Sequence, residues 1–170
     1  LWVNLPRRDK MMRPHYQEIS RERIPVVSSP DGKISVRVIA GEAMGANAII
    51  DTRTPIAFLH YTLAPGARIE QPMRREYNIF AYVFAGNGKF GSNKREASAH
   101  QMVLFGNDGE SVLIDSPAEG IEPLELLLIG GIPLREPVVR YGPFVMNTKQ
   151  EIAQAIEDYQ NGKMGQIAAV

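Results

Sequence analysis

Between residues 33 and 131 the chain is a succession of short apolar runs, each stopped by glycine, proline or an Asn/Asp-Gly pair after roughly ten residues. Short runs at that spacing read as the strands of an all-β sandwich or barrel. "GKISVRVIAG" states the period most clearly. Ile34, Val36 and Val38 fall on one face, Lys33, Ser35 and Arg37 on the other. "PIAFLHYTLAPG" reads as a strand closed by a Pro-Gly turn. "YNIFAYVFAGNGKFG" is apolar on both faces and is expected to be covered on both sides, with a tight hairpin at "GNG", residues 86–88. "HQMVLFGNDGESVLIDS" predicts two short strands about a turn, and "PLELLLIGG" a further buried strand. The glycines of "AGEAMGANA" do not follow a dinucleotide-binding pattern and predict an irregular loop over a barrel mouth, with a binding role as its functional reading.

The period changes near the end. In "NTKQEIAQAIEDYQNGKMG", Thr148 stands as N-cap with Glu151 three residues on, a capping box. Ile152, Ala155, Ile156 and Tyr159 recur at helical spacing, and Gly162 sits where a C′ glycine belongs. The first 23 residues, broken by Pro6 and Pro14, predict an extended arm or connector, with Trp2 packing on a surface inside or outside this chain. The organisation expected is therefore a connector at 1–23, a barrel at 24–146, and a helix and tail at 147–170.

Composition narrows the chemistry. Lysine plus arginine and aspartate plus glutamate number 19 each, so nothing draws the chain directly to nucleic acid or an anionic membrane. There is no cysteine, which removes disulfides, thiolate metal sites and a cysteine nucleophile. No signal-like apolar segment is seen, and the expected location is cytoplasmic, or nuclear if the source is eukaryotic. The chain begins "LWVNLP", which reads as the middle of a longer protein.

The runs "LWVNLPRRDKM", "PLREPVVRYGPFVMNTKQEI" and "AIEDYQNGK", with the turn "APGA" and the strand "NIFAYVFAGNGKFG" in order between them, resemble the C-terminal half of a pirin. The resemblance implies a bicupin, two jelly-roll β-barrels in one chain, of which this is the degenerate second cupin barrel with a C-terminal α-helix. It implies iron or another divalent metal in an N-terminal barrel outside this sequence, held by three histidines and a glutamate. It further implies a whole protein acting as a quercetin 2,3-dioxygenase, or alternatively as a non-enzymatic protein-interaction or co-regulator module. The partner it implies first is that N-terminal barrel. Self-association of this chain through Trp2, Val3 and the helix face (Ile152, Ile156, Tyr159) is a second expectation.

The residues agree that this half holds neither metal nor catalytic group. His15, His60 and His100 are far apart and unpaired, where a transition metal wants several imidazoles or carboxylates converging. Counted from Gly66, the ligand slots of the family's metal barrel fall near Pro72, Arg74 and Ile79. His60 reads as a strand residue and His100 as a turn residue. No Gly-x-Ser-x-Gly elbow is present. Arg74, Arg75 and Glu76 form a charged cluster, read as a solvated loop or, functionally, as a contact for a small anion or partner. Arg135, Glu136 and Arg140 lie in a proline-bounded segment, where the arginines are expected to pair with carboxylates or cap carbonyls.

Overall fold

The computed structural model describes residues 1–166. They divide into two compact units, Ile19–Pro133 and the pair of segments Leu1–Glu18 and Leu134–Val170, of which 167–170 lie outside the described residues. The divisions fall at 18/19 and 133/134, where the sequence suggests 23/24 and 146/147.

The first unit is an all-β jelly roll. A six-stranded antiparallel sheet has the order β1 (Val26–Ser28), β2 (Ile34–Ala40), β5 (Ile56–Leu63), β12 (Leu124–Gly131), β7 (Asn78–Ala85), β10 (Met102–Leu104). A four-stranded sheet has the order β6 (Arg68–Pro72), β11 (Ser111–Asp115), β8 (Asn87–Phe90), β9 (Arg95–Ser98). A small hairpin, β3 (Glu42–Ala43) and β4 (Ala46–Asn47), stands beside them. The two sheets share one core. Val36, Leu59, Tyr61, Leu126 and Leu128 from the larger and Phe90, Val112 and Ile114 from the smaller belong to a single buried cluster. The alternation read in β2 is borne out: Ile34, Val36, Val38 and Ala40 are all buried, and the residues between them are not. The Pro65-Gly66 turn after β5 is also as expected, with Gly66 at φ +77° and a hydrogen bond from Ala67 N to Ala64 O of 3.0 Å, the type II arrangement that glycine permits.

Three expectations are corrected. "GNG" is not a hairpin. β7 lies in one sheet and β8 in the other, so Gly86 is the corner at which the chain changes sheet. It has φ +71°, and a Cβ there would come within 2.5 Å of the Pro123 carbonyl oxygen, so the corner demands glycine for lack of space as well as for its backbone angle. The two short strands expected about "GNDGE" are present as β10 and β11, and they lie in different sheets. "AGEAMGANA" is not irregular: Met44 at φ +48° and Gly45 at φ +79° make the two-residue turn of the β3–β4 hairpin, the pair of left-handed residues a type I′ turn requires. The expectation that β7 is covered on both faces also fails on its outer face, where Tyr82 is 37% exposed.

In the second unit, "PLREPVVRYGPFVM" supplies a hairpin of β13 (Val139–Tyr141) and β14 (Phe144–Met146), followed by α1 (Lys149–Gln160). Thr148 is the N-cap, its hydroxyl accepting from Glu151 N at 3.1 Å. The return bond of the capping box goes one residue further back, from Asn147 N to Glu151 Oε2 at 3.0 Å. At the other end, Lys163 N donates to Asp158 O and Gly162 N to Tyr159 O, with Gly162 at φ +69°, a complete Schellman motif. Ile152 and Ala155 are buried as the periodicity requires, but Tyr159 is 67% exposed and only meets Phe144 edge-on. Residues 1–18 are irregular apart from a 3-10 turn at Arg7–Asp9. Among the described residues no helix is long and apolar enough to cross a membrane.

Candidate functional site at one end of the jelly roll

At one end of the six-stranded sheet β5 begins, β12 ends and β7 begins, with Gly131 paired to both Ile56 and Asn78. The end of β6 and the β3–β4 hairpin meet there around a cavity of about 370 Å³, lined by Glu42, Asn47, Thr52, Ile56, Met73, Arg74 and Tyr77 among others. The floor is apolar and fixed by a missing side chain. A Cβ on Gly130 would lie 2.7 Å from Met73 Cε and 3.2 Å from Tyr77 Cδ2, so glycine on β12 makes room for both.

Beneath the floor lies a buried polar pair that the sequence reading did not anticipate. Tyr61 Oη donates to Gln71 Oε1 at 2.5 Å. Gln71 Nε2 donates in turn to Pro72 O at 2.9 Å and Glu42 O at 3.3 Å. Both side chains are almost wholly buried, and burial pushes the Tyr61 phenol well above its ordinary range, so it stays a neutral donor. One signal was available: alternation through Arg68–Pro72 puts Ile69 and Gln71 on the inner face.

The same alternation corrects the ligand slots. Gln71 and Met73 face inward, while Pro72 and Arg74 are exposed; Ile79 packs against the core. The inward positions therefore offer an amide, a thioether, phenols and alkyl groups. His60 is a strand residue, as expected, but on the outer face of β5, its Nε2 3.6 Å from Glu125 Oε2 and its ring 5.2 Å from Phe84. His100 is a turn residue at φ +69°, also as expected. Among the described residues no three His, Cys, Asp or Glu side chains come together. This donor set does not fit the iron or other divalent metal that the resemblance to pirins implies.

Arg74, Arg75 and Glu76 occupy an exposed turn between β6 and β7. Arg74 Nη1 lies 4.0 Å from Glu76 Oε1, a weak surface contact, and its guanidinium sits 5.9 Å above the Tyr77 ring. Tyr77 is buried, which raises its phenol above the ordinary value, with Arg74 acting the other way and Glu76 and Glu42 adding to the rise. Arg75 makes no ion pair among the described residues.

In the other unit the expected pairing of arginines with carboxylates is not seen among the described residues of the 135–140 segment. Arg135 (φ +52°) and Arg140 are exposed and form no ion pair among the described residues, because the proline-bounded segment turns them outward. It is Glu136 that is used: its Oε2 accepts from Arg7 N at 2.8 Å and from Asn147 Nδ2 at 2.9 Å. Arg7 Nε donates to Glu151 Oε1 at 2.6 Å. Burial opposes ionisation of Glu151, but the bonds from Arg7, Asn147 N and Thr148 outweigh it and hold the carboxyl below its usual range. Trp2 is 68% exposed and lines a cavity of about 300 Å³ with Phe144, Met146 and Ala155.

The description "Pirin C-terminal cupin domain" matches residues 58–165. A pirin-like protein of Solanum lycopersicum is 46% identical over 166 residues, covering 97% of this chain and 55% of that protein. Pirin of Homo sapiens is 41% identical over 167 residues, covering 97% of this chain and 56% of its own length. The chain thus spans about half the length of the curated relatives it matches. The crystal structure of a quercetin 2,3-dioxygenase from Acinetobacter baumannii superposes with a TM-score of 0.84 at 30% identity, over 98% of this chain and 56% of that one.

Proposed function

The chain belongs to the pirin family and carries its C-terminal cupin domain, and from that premise we propose that it is the metal-free, supporting half of a two-barrel protein whose other barrel holds iron or another divalent metal and acts as a quercetin 2,3-dioxygenase. The observation that carries this reading is the filling of the inward positions. Tyr61, Gln71, Met73 and Tyr77 are buried and packed where a metal centre would need imidazoles and carboxylates, so the roll has its own core in place of a site. Dioxygen chemistry on a flavonol needs a metal with open coordination positions, which the donors of this half do not provide. Its contribution is to support the barrel that has one.

The experiment compares this chain alone with a fusion in which the N-terminal half of the tomato relative precedes Leu1. Elemental analysis after iron loading and the loss of quercetin absorbance are read on both. The fusion is expected to hold one metal and turn over quercetin, and this chain to do neither. One tightly held equivalent in the chain alone, lost in His60→Ala, overturns the proposal.

A second reading, a protein-interaction module, is favoured by one observation: Met102 and Leu104 on the edge strand β10 are 58% and 74% exposed. A fusion that holds metal but never turns over quercetin favours this reading instead.

A further inference from the structure

Two sequence features were left without a role in the supporting half: the glycine-bearing segment at 40–48 and the charged turn at 74–76. The fold brings both to the lining of one cavity. Glu42, on β3, and Arg74, after β6, both line it. Glu42 has no ion pair among the described residues, and Arg74 has only the 4.0 Å approach to Glu76. One buried side chain ties the two segments together, since Gln71 Nε2 donates both to the carbonyl of Glu42 and to that of Pro72, two residues before Arg74. Behind Gln71 stands the Tyr61 hydroxyl, inside the core. The Arg74 guanidinium stands 5.9 Å from the Tyr77 ring, and Ile56, Ala57 and Met73 line the same cavity.

We propose that this cavity binds a small zwitterion of the α-amino-acid type, with its carboxylate on Arg74, its ammonium on Glu42 and an apolar side chain on the Ile56–Met73 floor. The charges of the lining select for both groups together. A ligand carrying only a carboxylate also meets Glu42, and one carrying only an ammonium also meets Arg74. A volume of about 370 Å³ lies at the lower end of small-molecule pockets and suits a ligand of amino-acid size. Asn47 and Thr52 supply neutral hydrogen-bonding groups to the lining. The site stands apart from the supporting role, because none of these residues is asked to hold metal.

The test is an amide chemical-shift titration of the whole chain with L-phenylalanine and L-leucine, beside phenethylamine, which lacks the carboxylate, and 3-phenylpropionate, which lacks the ammonium. At least one amino acid is expected to saturate in the millimolar range, with its largest shifts at 41–57 and 72–77. Loss of either charge should weaken binding about tenfold, the equivalent of ~1.4 kcal/mol. Arg74→Met should weaken the amino acid and 3-phenylpropionate while sparing phenethylamine; Glu42→Gln should weaken the amino acid and phenethylamine while sparing 3-phenylpropionate. Both positions are exposed, and an unchanged amide spectrum away from the cavity shows that the variants are folded. Saturation by neither amino acid, equal binding of the single-charge probes and the amino acid, or indifference to both substitutions overturns the proposal. Metal content and quercetin turnover of the fusion report on the supporting role separately, so the two readings fail independently.

Discussion

The two faces of the six-stranded sheet are built from the same kinds of side chain and meet different fates. On the inner face Leu59 stands opposite Leu128, Leu128 opposite Ala81 and Ala81 opposite Val103; the first three are wholly buried. One residue away, on the outer face, Phe58 stands opposite Ile129, Ile129 opposite Phe80 and Phe80 opposite Leu104, and the row runs out to a leucine that is 74% exposed. A strand with one polar face announces its register, because a slip of one residue would bury the polar set. β7 and β12 are apolar on both faces and carry little such information. Their register is set instead by what surrounds them: the glycine corner at Gly86, the irregularity between Glu125 and Leu126, and the one β2 makes against β5 between Val38 and Ala40. The difference teaches that stability is concentrated on the inner face, while the outer face keeps apolar area that the sheet does not need for itself.

The largest expected effect tests the inner face. Leu128→Ala removes a fully buried side chain from the centre of the sheet and is expected to cost about 2–5 kcal/mol in urea unfolding. A loss below about 1 kcal/mol would show that the core collapses to fill the gap and would erase the contrast.

Next comes the one polar pair on the inner side. Tyr61→Phe leaves Gln71 Oε1 buried without a donor and is expected to cost about 1–3 kcal/mol in the same urea unfolding. Stability measured against pH supplies an independent reading. The folded phenol is raised, so its neutral form is the one folding favours. Its contribution is complete below the ordinary phenol value of 10.0 and is lost as pH climbs above it, where the unfolded chain ionises first. Tyr61→Phe should flatten the alkaline limb of that profile.

The outer face is expected to respond weakly. Glu125→Gln breaks a 3.6 Å approach to His60 between partly exposed groups and should change stability by less than about 1 kcal/mol. Leu104→Gln should stay within about 0.5 kcal/mol. A cost of several kcal/mol from Leu104→Gln would mean that the outer row is as much a core as the inner one.

Local rules were enough for the elements that satisfy themselves within a few residues. The alternation of Ile34, Val36 and Val38, the Pro65-Gly66 turn, the Thr148 cap and the Gly162 stop were all readable, because each is decided by backbone geometry and neighbours close in sequence. "GNG" shows the limit. Its left-handed glycine was legible, but whether the chain returns along the same sheet or crosses to the other depends on Pro123, thirty-seven residues away, whose carbonyl lies too close to Gly86 for a side chain. Gln71 shows it again: an amide beside a proline reads as surface until β6 is paired with β11 and its inner face is known.

By itself, then, the sequence determined that this chain is an all-β domain with a capped terminal helix, in the pirin family, with too few and too scattered histidines for a metal centre. Periodicity, turn chemistry and ligand count are properties of residues in order along the chain. Only the tertiary structure decided which apolar face lies inside, that Tyr61 and Gln71 share a buried hydrogen bond, and that Glu42 and Arg74 line one cavity. Those facts come from pairing across ten to seventy residues of chain, where hydrogen-bond register and close packing choose among arrangements that local propensity leaves equivalent.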